Sequence, residues 1–172
     1  MELTIVNKTV KKTTKKTIYI GADHTGFDLK NDLKKHLTKK EYKVIDLGGK
    51  SPTDPDDYPD FANAVGTKVS KNKSSLGVLI CGTGVGICIA ANKINGIRAA
   101  LVYDHKIADL AIRHDAANIL CLGARVTKTD EAIKITDIFL DSKFEKGRHL
   151  RRVNKIKKIE SSQTVKKPKA KK

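Results

Sequence analysis

Residues 76–86 read Leu-Gly-Val-Leu-Ile-Cys-Gly-Thr-Gly-Val-Gly, and this stretch decides the fold. The continuous apolar run from Leu76 to Ile80 is typical of a strand that is buried on both faces of a sheet. A cysteine and three glycines follow it, and residues 86–93 then have a helical tendency. A buried strand that turns directly into a helix favours a parallel sheet covered by helices.

The rest of the chain alternates in the same way. Short β-rich runs predict strands, and apolar residues at helical spacing predict the helices between them. The predicted strands are 17–20, 42–47, 76–80, 98–102 and 119–122, and the predicted helices are 26–40, 61–69, 86–93, 106–114, 130–140 and 148–160. A turn-rich loop is expected from Ser51 to Pro59. The predicted fold class is therefore α/β, a single domain with a five-stranded parallel sheet and helices on both faces.

Length and cysteine content narrow the class of protein. The chain has 172 residues, which suits one domain. It has no apolar run of about 18 residues, so we expect neither a membrane-spanning helix nor a membrane partner. The N-terminal lysines are not followed by an apolar segment, which argues against a secretory signal. Three cysteines, an odd number, favour a reducing compartment, and we expect a cytoplasmic protein.

The net charge of +16 raises the possibility of a nucleic-acid partner. More than half of the excess lies at the two ends, with five lysines against Glu2 in residues 1–16 and five lysines in residues 163–172. We expect a disordered basic extension over 1–16, a folded domain over 17–160 and a disordered Lys-rich tail over 161–172. Residues 166–172 also resemble a nuclear-import or polyanion-binding patch. Any nucleic-acid binding is therefore expected to be weak and mediated by the tails.

Ligands of open parallel sheets bind at the carboxyl ends of the strands, and this rule selects four places. They are Gly21 to His24, Cys81 to Gly86, Asp104-His105, and Gly123 to Arg125. His114 and Asp115 lie elsewhere, at a helix end before the fifth strand.

The glycines at 82, 84 and 86 allow several interpretations. Their spacing resembles a dinucleotide fingerprint, and Asp104 stands about where a ribose-binding acid would be, but Ile87 occupies the third glycine position. A P-loop is excluded because no Gly-Lys-Ser/Thr follows. Binding of an anion or oxyanion by backbone N–H groups, and a tight turn without a ligand, both remain open.

The cysteines and histidines differ in their surroundings. Cys81 ends a strand opposite a helix start, which stabilises a thiolate that could act as nucleophile or general base. Cys88 and Cys121 are interpreted as small core residues. His36 and His105 have no companions in the sequence and are expected at the surface. A basic cluster follows Gly147, and its arginines four residues apart could bind a phosphate or simply form a solvated face; it comprises Arg148, His149, Arg151 and Arg152.

Taken together, these segments resemble the ribose-5-phosphate isomerase B family, which also includes galactose-6-phosphate isomerase subunits. The likeness runs from about Thr17 to Glu160 and leaves out both tails. It is carried by residues 21–27, Asp57-Tyr58-Pro59, residues 80–87, Ala90 to Lys93, Gly96 to Ala99, Gly123-Ala124-Arg125 and Gly147-Arg148-His149.

The resemblance implies a Rossmann-like fold and a homodimer, possibly a tetramer, with active sites shared between chains. It also implies an aldose–ketose isomerisation of the pentose phosphate pathway that needs no cofactor and no metal. The ring of a sugar phosphate opens, a base removes the C2 proton, and an enediolate is reprotonated at C1.

The resemblance also implies roles for individual residues. Cys81 is the base, His114 opens the ring, and Thr83 assists catalysis. The substrate-binding residues are Asp23, His24, Gly82, Thr83, Gly84, Val85, Gly86, Asp115, Arg125, Arg148 and Arg152. Some members use a glutamate base at the position of Ile87, so this chain resembles the cysteine-base branch.

One residue departs from the family pattern. Asp115 stands where asparagine is usual, and an ionised carboxylate accepts hydrogen bonds but cannot donate them. Two other functions stay open from the sequence alone. One is an isomerase of a six-carbon sugar phosphate, such as allose or galactose 6-phosphate. The other is a basic nucleic-acid-binding protein that uses its tails.

Overall fold

The computed structural model describes residues 15–162, and it contains one five-stranded sheet surrounded by six α-helices. In chain order the elements are β1 (Thr17–Ala22), α1 (Phe27–Lys39), β2 (Lys43–Asp46), α2 (Tyr58–Lys71), β3 (Leu76–Cys81), α3 (Val85–Ala91), β4 (Ala99–Leu101), α4 (His105–Asp115), β5 (Ile119–Gly123), α5 (Thr129–Asp141) and α6 (Gly147–Ser162). A short 3-10 helix, His24–Gly26, joins β1 to α1.

All strand pairs are parallel, and the strand order is β2-β1-β3-β5-β4. The predicted α/β class and five-stranded parallel sheet are thereby confirmed. β3 lies at the centre, and all six of its residues are buried. The apolar run that suggested a doubly buried strand is therefore the middle of the sheet, as its composition requires.

Two apolar layers enclose the sheet. On one face α1, α4 and α5 contribute side chains such as Leu33, Ile112 and Phe139. On the other face α2 and α3 contribute Val65 and Ile87. α6 packs against α4 and buries Val153. The Rossmann-like arrangement of a parallel sheet between helices follows from these two layers.

The predicted loop from Ser51 to Pro59 is wrong at its end, because α2 already begins at Tyr58. Proline lacks a backbone N–H, and the first turn of a helix needs none, so Pro59 starts the helix rather than preceding it. At the C-terminus, α6 extends to Ser162, two residues into the segment predicted as tail. The predictions for residues 1–14 and 163–172 lie outside the described residues and stay predictions.

A buried lysine ties α1 to the end of β2. The Lys30 ammonium lies 3.0 and 3.1 Å from the carboxylate oxygens of Asp46, and it also donates to the carbonyls of Gly48 and Gly49. Only 3% of Lys30 is exposed. A buried ammonium is tolerated when it is paired and fully hydrogen-bonded, as here. A cavity of about 790 Å³ lies over this lysine and is bordered by Asp56.

No helix within residues 15–162 has both the length and the apolar character needed to cross a bilayer.

Candidate active site

The ends of β1, β3 and β5 meet at the carboxyl edge of the sheet. Ala22 pairs with Ile80, and Cys81 pairs with Gly123. The chain beyond each strand stays in register, because the Asp23 N–H donates to Ile80 O at 3.2 Å and the Ala124 N–H donates to Cys81 O at 2.9 Å. The structure therefore brings the first, third and fifth strand ends together at one site, as the sequence predicts.

The glycine-rich loop, residues 82–86, encloses the sulfur of Cys81. Gly84 has a φ of +80°, and a β-carbon there would lie 2.9 Å from the carbonyl carbon of Leu122. Glycine alone fits this left-handed, crowded position. The Gly84 N–H then points at Cys81 and donates to its sulfur at 3.2 Å. Cys81 is 5% exposed, so its sulfur is held inside the loop rather than at the open surface.

Thr83 is exposed in this loop, as is Val85, and its backbone carbonyl is held by a tyrosine. The hydroxyl of Tyr103 donates to Thr83 O at 2.8 Å. The Thr83 hydroxyl oxygen accepts the Val85 N–H at 3.4 Å and keeps its own proton for another acceptor. Thr83 thus offers a hydroxyl donor beside the buried thiol.

Arg125 provides positive charge next to the loop. Its N–H donates to Gly82 O at 2.9 Å. Its side chain lies against Gly82, since a β-carbon there would be 3.4 Å from the guanidinium carbon. An anion that enters the loop would therefore meet a guanidinium at its side.

Asp23 and His24 form the β1 side of the site. Asp23 is 6% exposed, and one of its carboxylate oxygens accepts the Thr25 hydroxyl at 2.5 Å and the Gly26 N–H at 3.1 Å. The His24 ring and N–H both contact Asp56. Asp23 therefore caps the 3-10 helix and is held at the floor of the site.

Three residues at this edge have no assigned role in the sequence analysis. They are Tyr103, Asp56 and Tyr58, of which only Tyr58 falls within a motif of the family. The Tyr58 ring covers the loop, since a β-carbon on Gly86 would lie 2.7 Å from its Cζ. All three act through contacts 20 or more residues away in the chain, which periodicity and spacing do not reveal.

His114 and Asp115 lie at the amino ends of the strands, on the side of the sheet opposite the carboxyl edge that holds Cys81. α4 starts beside the carboxyl ends and runs back for eleven residues, about 16 Å of helix. The chain after it joins the amino ends, where Asn118 O accepts the Gly77 N–H at 2.9 Å. Asp115 is exposed, and its carbonyl accepts from Arg98 Nε at 3.1 Å. Within one chain, therefore, His114 and Cys81 are not brought together.

His114 belongs instead to a cluster with residues near the start of α6. Its ring stacks on that of His149, and Glu145 Oε2 lies 3.7 Å from His114 Nε2 and 3.6 Å from His149 Nε2. Arg148 Nε donates to His149 Nε2 at 3.3 Å. Arg148 is therefore assembled with His114 at this second edge, one helical turn before Arg152.

This cluster offers three candidate ligands for a metal ion, since the relevant atoms of His114, Glu145 and His149 lie within 4.8 Å of one another. The geometry fits a metal poorly. The two rings are nearly parallel, so their in-plane lone pairs do not converge on one point. Arg113 and Arg148 also place cationic groups on Glu145 and His149. We assign no metal to it.

The predicted surface position is confirmed for His105, whereas His36 is only partly exposed, and both have carboxylate partners. His36 Nε2 lies 2.9 Å from Asp137 Oδ1 and is partly buried. His105 Nε2 lies 2.6 Å from Glu131 Oε1 and is about half exposed. Each pair joins one helix to α5, so these histidines act in tertiary packing rather than standing alone.

The expectation for Cys88 also needs correction. Cys121 is fully buried, and burial raises the pKa of its thiol. Cys88 is only partly buried, and the hydrogen bond with Cys121 lowers the pKa of the Cys88 thiol. Its sulfur also lies 3.5 Å from Ala99 O. Cys88 therefore packs at the border of the core rather than inside it.

A Rossmann-like sheet whose carboxyl edge holds a thiol, loop N–H groups and a guanidinium defines an α/β enzyme of small anionic substrates. Residues 18–156 match the ribose/galactose isomerase family. The chain belongs to this family.

Individual relatives agree with the match. A Mycoplasma pneumoniae protein described as a probable ribose-5-phosphate isomerase B is 54% identical over 139 residues, 81% of this chain and 91% of that one. The ribose-5-phosphate isomerase B of Escherichia coli is 43% identical over 145 residues, 84% of this chain and 97% of that one. The crystal structure of ribose-5-phosphate isomerase B from Mycoplasma genitalium with bound ribulose-5-phosphate aligns with a TM-score of 0.82 at 52% identity, over 84% of this chain and 96% of that one.

Proposed function

We propose that the protein interconverts ribose 5-phosphate and ribulose 5-phosphate. The observation that carries the proposal is the buried Cys81 sulfur held by the Gly84 N–H inside a glycine-rich loop, in a chain of the ribose/galactose isomerase family. A base and oxyanion donors within six residues are what an aldose–ketose isomerisation requires. The relative from Mycoplasma genitalium with bound ribulose-5-phosphate supports the choice of substrate.

In the proposed reaction, Cys81 transfers one proton between two carbons. After ring opening, the thiolate removes the C2 proton and becomes a thiol, while the carbonyl oxygen at C1 gains negative charge. The N–H groups of residues 82–86 and the Thr83 hydroxyl stabilise this enediolate. The Cys81 thiol then returns the proton to C1, and the C2 hydroxyl proton passes to the negatively charged C1 oxygen, so that C2 becomes the ketone and C1 carries the hydroxyl. No electron acceptor is needed, because one carbon is oxidised as its neighbour is reduced.

The remaining predicted site residues take supporting roles. Asp23 and His24 contact the sugar hydroxyls, and the Asp115 carboxylate accepts a hydrogen bond from a sugar hydroxyl. His114 acts as the acid that opens the ring. Arg125, Arg148 and Arg152 bind the phosphate, whose charge calls for guanidinium partners.

The separation of His114 from Cys81 supports a homodimer with shared sites. One chain carries the thiol and loop at one edge and His114 with the α6 arginines at the other, so a second copy can supply the missing half. Next to the loop, α3 exposes Val85 and Ile89, which are 43% and 56% exposed. Apolar side chains at this position suit the contact between two subunits.

The direct experiment is a coupled assay of ribulose 5-phosphate formation from ribose 5-phosphate. Allose 6-phosphate and galactose 6-phosphate are tested beside it, and faster turnover of either would replace the pentose assignment.

The three cysteines are free thiols, as expected in a reducing compartment, and this supports a cytoplasmic site of action.

A further inference from the structure

Asp56 holds His24 through a single carboxylate oxygen. Asp56 Oδ1 accepts the backbone N–H of His24 at 2.8 Å and lies 2.9 Å from the ring nitrogen Nδ1. The two residues are 32 positions apart, and Asp56 precedes α2 in the loop that borders the 790 Å³ cavity. The side chains are 33% and 24% exposed, so the contact lies partly out of solvent.

The chemistry of this contact fixes the position of a proton. An ionised carboxylate has no proton to give, so the Nδ1 atom that contacts it must carry one. In the neutral imidazole the other nitrogen, Nε2, is then an acceptor. We infer that Asp56 is a positioning residue, which sets the tautomer of His24 and leaves Nε2 to accept a hydrogen bond from a substrate hydroxyl.

The backbone around His24 is fixed at the same time. On one side Asp56 holds the His24 N–H, and on the other Asp23 caps the next turn through the Gly26 N–H. A ring on a backbone held at both ends keeps its direction without help from the ligand. Asp56 therefore orders the main chain and the ring of His24 together.

The inference rests on the proposed function only for the identity of the hydroxyl. The tautomer itself is a property of the free protein. It can therefore be measured whether or not the protein turns over a sugar phosphate, and the two proposals can fail separately.

The spectroscopic test is a long-range ¹H–¹⁵N correlation of the histidine rings at pH 7.5, with His24 assigned from a His24→Asn variant. The full chain is expected to show the Nδ1–H tautomer. Asp56→Ala is expected to shift His24 towards Nε2–H, whereas Asp56→Asn keeps an amide oxygen that accepts both N–H groups and should keep the tautomer. An Nε2–H signal in the unaltered protein, or an unchanged Nδ1–H signal in Asp56→Ala, would overturn the inference.

Kinetics supply the second arm. Asp56→Ala should lower kcat/KM for ribose 5-phosphate about tenfold, the effect of losing a charged hydrogen bond, and Asp56→Asn should recover most of it. Asp54→Ala, which removes the same charge from an exposed position of the same loop, should match the unaltered protein. Equal losses in Asp54→Ala and Asp56→Ala would assign the effect to loop charge and overturn the positioning role. Absence of turnover in the unaltered protein would refute the proposed function and leave the tautomer result standing.

Discussion

The imidazole ring of His149 lies parallel to that of His114, with ring centroids 4.0 Å apart and 13° between the ring planes. His149 is 5% exposed, and burial, followed by the nearby His114 and Arg148, lowers the pKa of its ring. A histidine with a lowered pKa is neutral at pH 7. The ring that supports His114 therefore does so by contact rather than by charge.

This stack predicts different outcomes for two substitutions of His149. His149→Ala removes the supporting ring and should lower kcat/KM about three- to tenfold, the usual contribution of an aromatic pair. His149→Phe keeps a flat ring at the same place and should retain most of the activity. Steady-state kinetics on both variants provide the measurement, and equal losses would show that the ring contact is not what matters.

Substitution of Cys81 tests the proposed base. Cys81→Ala should lower kcat by about 10²–10⁴, the range for a positioned base, while the substrate still binds. Cys121→Ala serves as the matched control, because it removes a buried thiol from the neighbouring strand and should cost little turnover. Near-normal activity of Cys81→Ala would move the search for a base to Asp23 or Asp115.

Alkylation gives independent evidence on Cys81, provided that the other accessible thiol is removed first. Cys88 is a second thiol that a reagent can reach, because it is only partly buried, and the hydrogen bond with Cys121 lowers its thiol pKa. In a Cys88→Ala background, iodoacetamide should inactivate the enzyme, and ribose 5-phosphate should protect it. Inactivation that substrate does not slow would place the reactive thiol outside the site.

A mixing experiment tests the shared site. Cys81→Ala and His114→Ala should each be inactive alone, yet a mixture that exchanges subunits should recover activity. One site of each mixed dimer would then join an intact Cys81 to an intact His114, for about a quarter of normal activity in an equal mixture. A site contained in one chain predicts no recovery, because every chain carries one lesion.

Arg152 and Arg151 are neighbours that should behave differently. Arg151 lines a separate groove of about 470 Å³ with Leu150 and Asn154, whereas Arg152 lies one turn from Arg148. Arg152→Ala should weaken substrate binding by about 1.5–3 kcal/mol, the range for a charged hydrogen bond. Arg151→Ala removes the same charge and should change KM little. Similar KM values for the two variants would contradict the phosphate assignment.

Ionisation of Asp46 should make the free energy of unfolding depend on pH in the acid range. Burial raises the pKa of its carboxyl, but hydrogen bonds from Lys30, Lys34 and the Gly48 N–H together hold it below the usual 3.8. A lowered carboxyl pKa stabilises the fold above about pH 4, and this contribution is lost as the pH falls through the folded-state pKa.

Urea unfolding of Asp46→Asn measures this contribution. At pH 7 the free energy of unfolding should drop by about 3 kcal/mol, because the buried Lys30 loses its counter-charge. The difference from the unaltered protein should narrow at pH 3. Asp32→Asn, which breaks an exposed pair with Lys35, should change stability little at either pH. A pH-independent difference for Asp46→Asn would contradict this role.

The architecture was predictable from the sequence because short-range patterns of apolar residues determine where the strands and helices form. The apolar run at residues 76–80 and the helical spacing of Leu29, Leu33 and Leu37 each depend on neighbours within a few positions. Pro59 was assigned to the wrong side of a helix boundary, since proline suits both a loop and a first helical turn.

Apart from the roles that the family resemblance implies, the candidate site was predictable only where it lies at strand ends. Cys81, Asp23 and Arg125 follow from the rule for parallel sheets, and they do lie together. The contacts of Asp56 with His24, of Glu145 with His114 and of Tyr103 with Thr83 join positions 20 or more residues apart. Such contacts depend on the packed structure and leave no periodic signal in the sequence.

The placement of His114 and Cys81 at opposite edges of the sheet has a consequence for cells. On the shared-site proposal, a newly synthesised chain is inert until it meets a second one. Below the dissociation constant of the dimer, the number of complete sites rises with the square of the chain concentration. Isomerase capacity would then respond more steeply than linearly to expression.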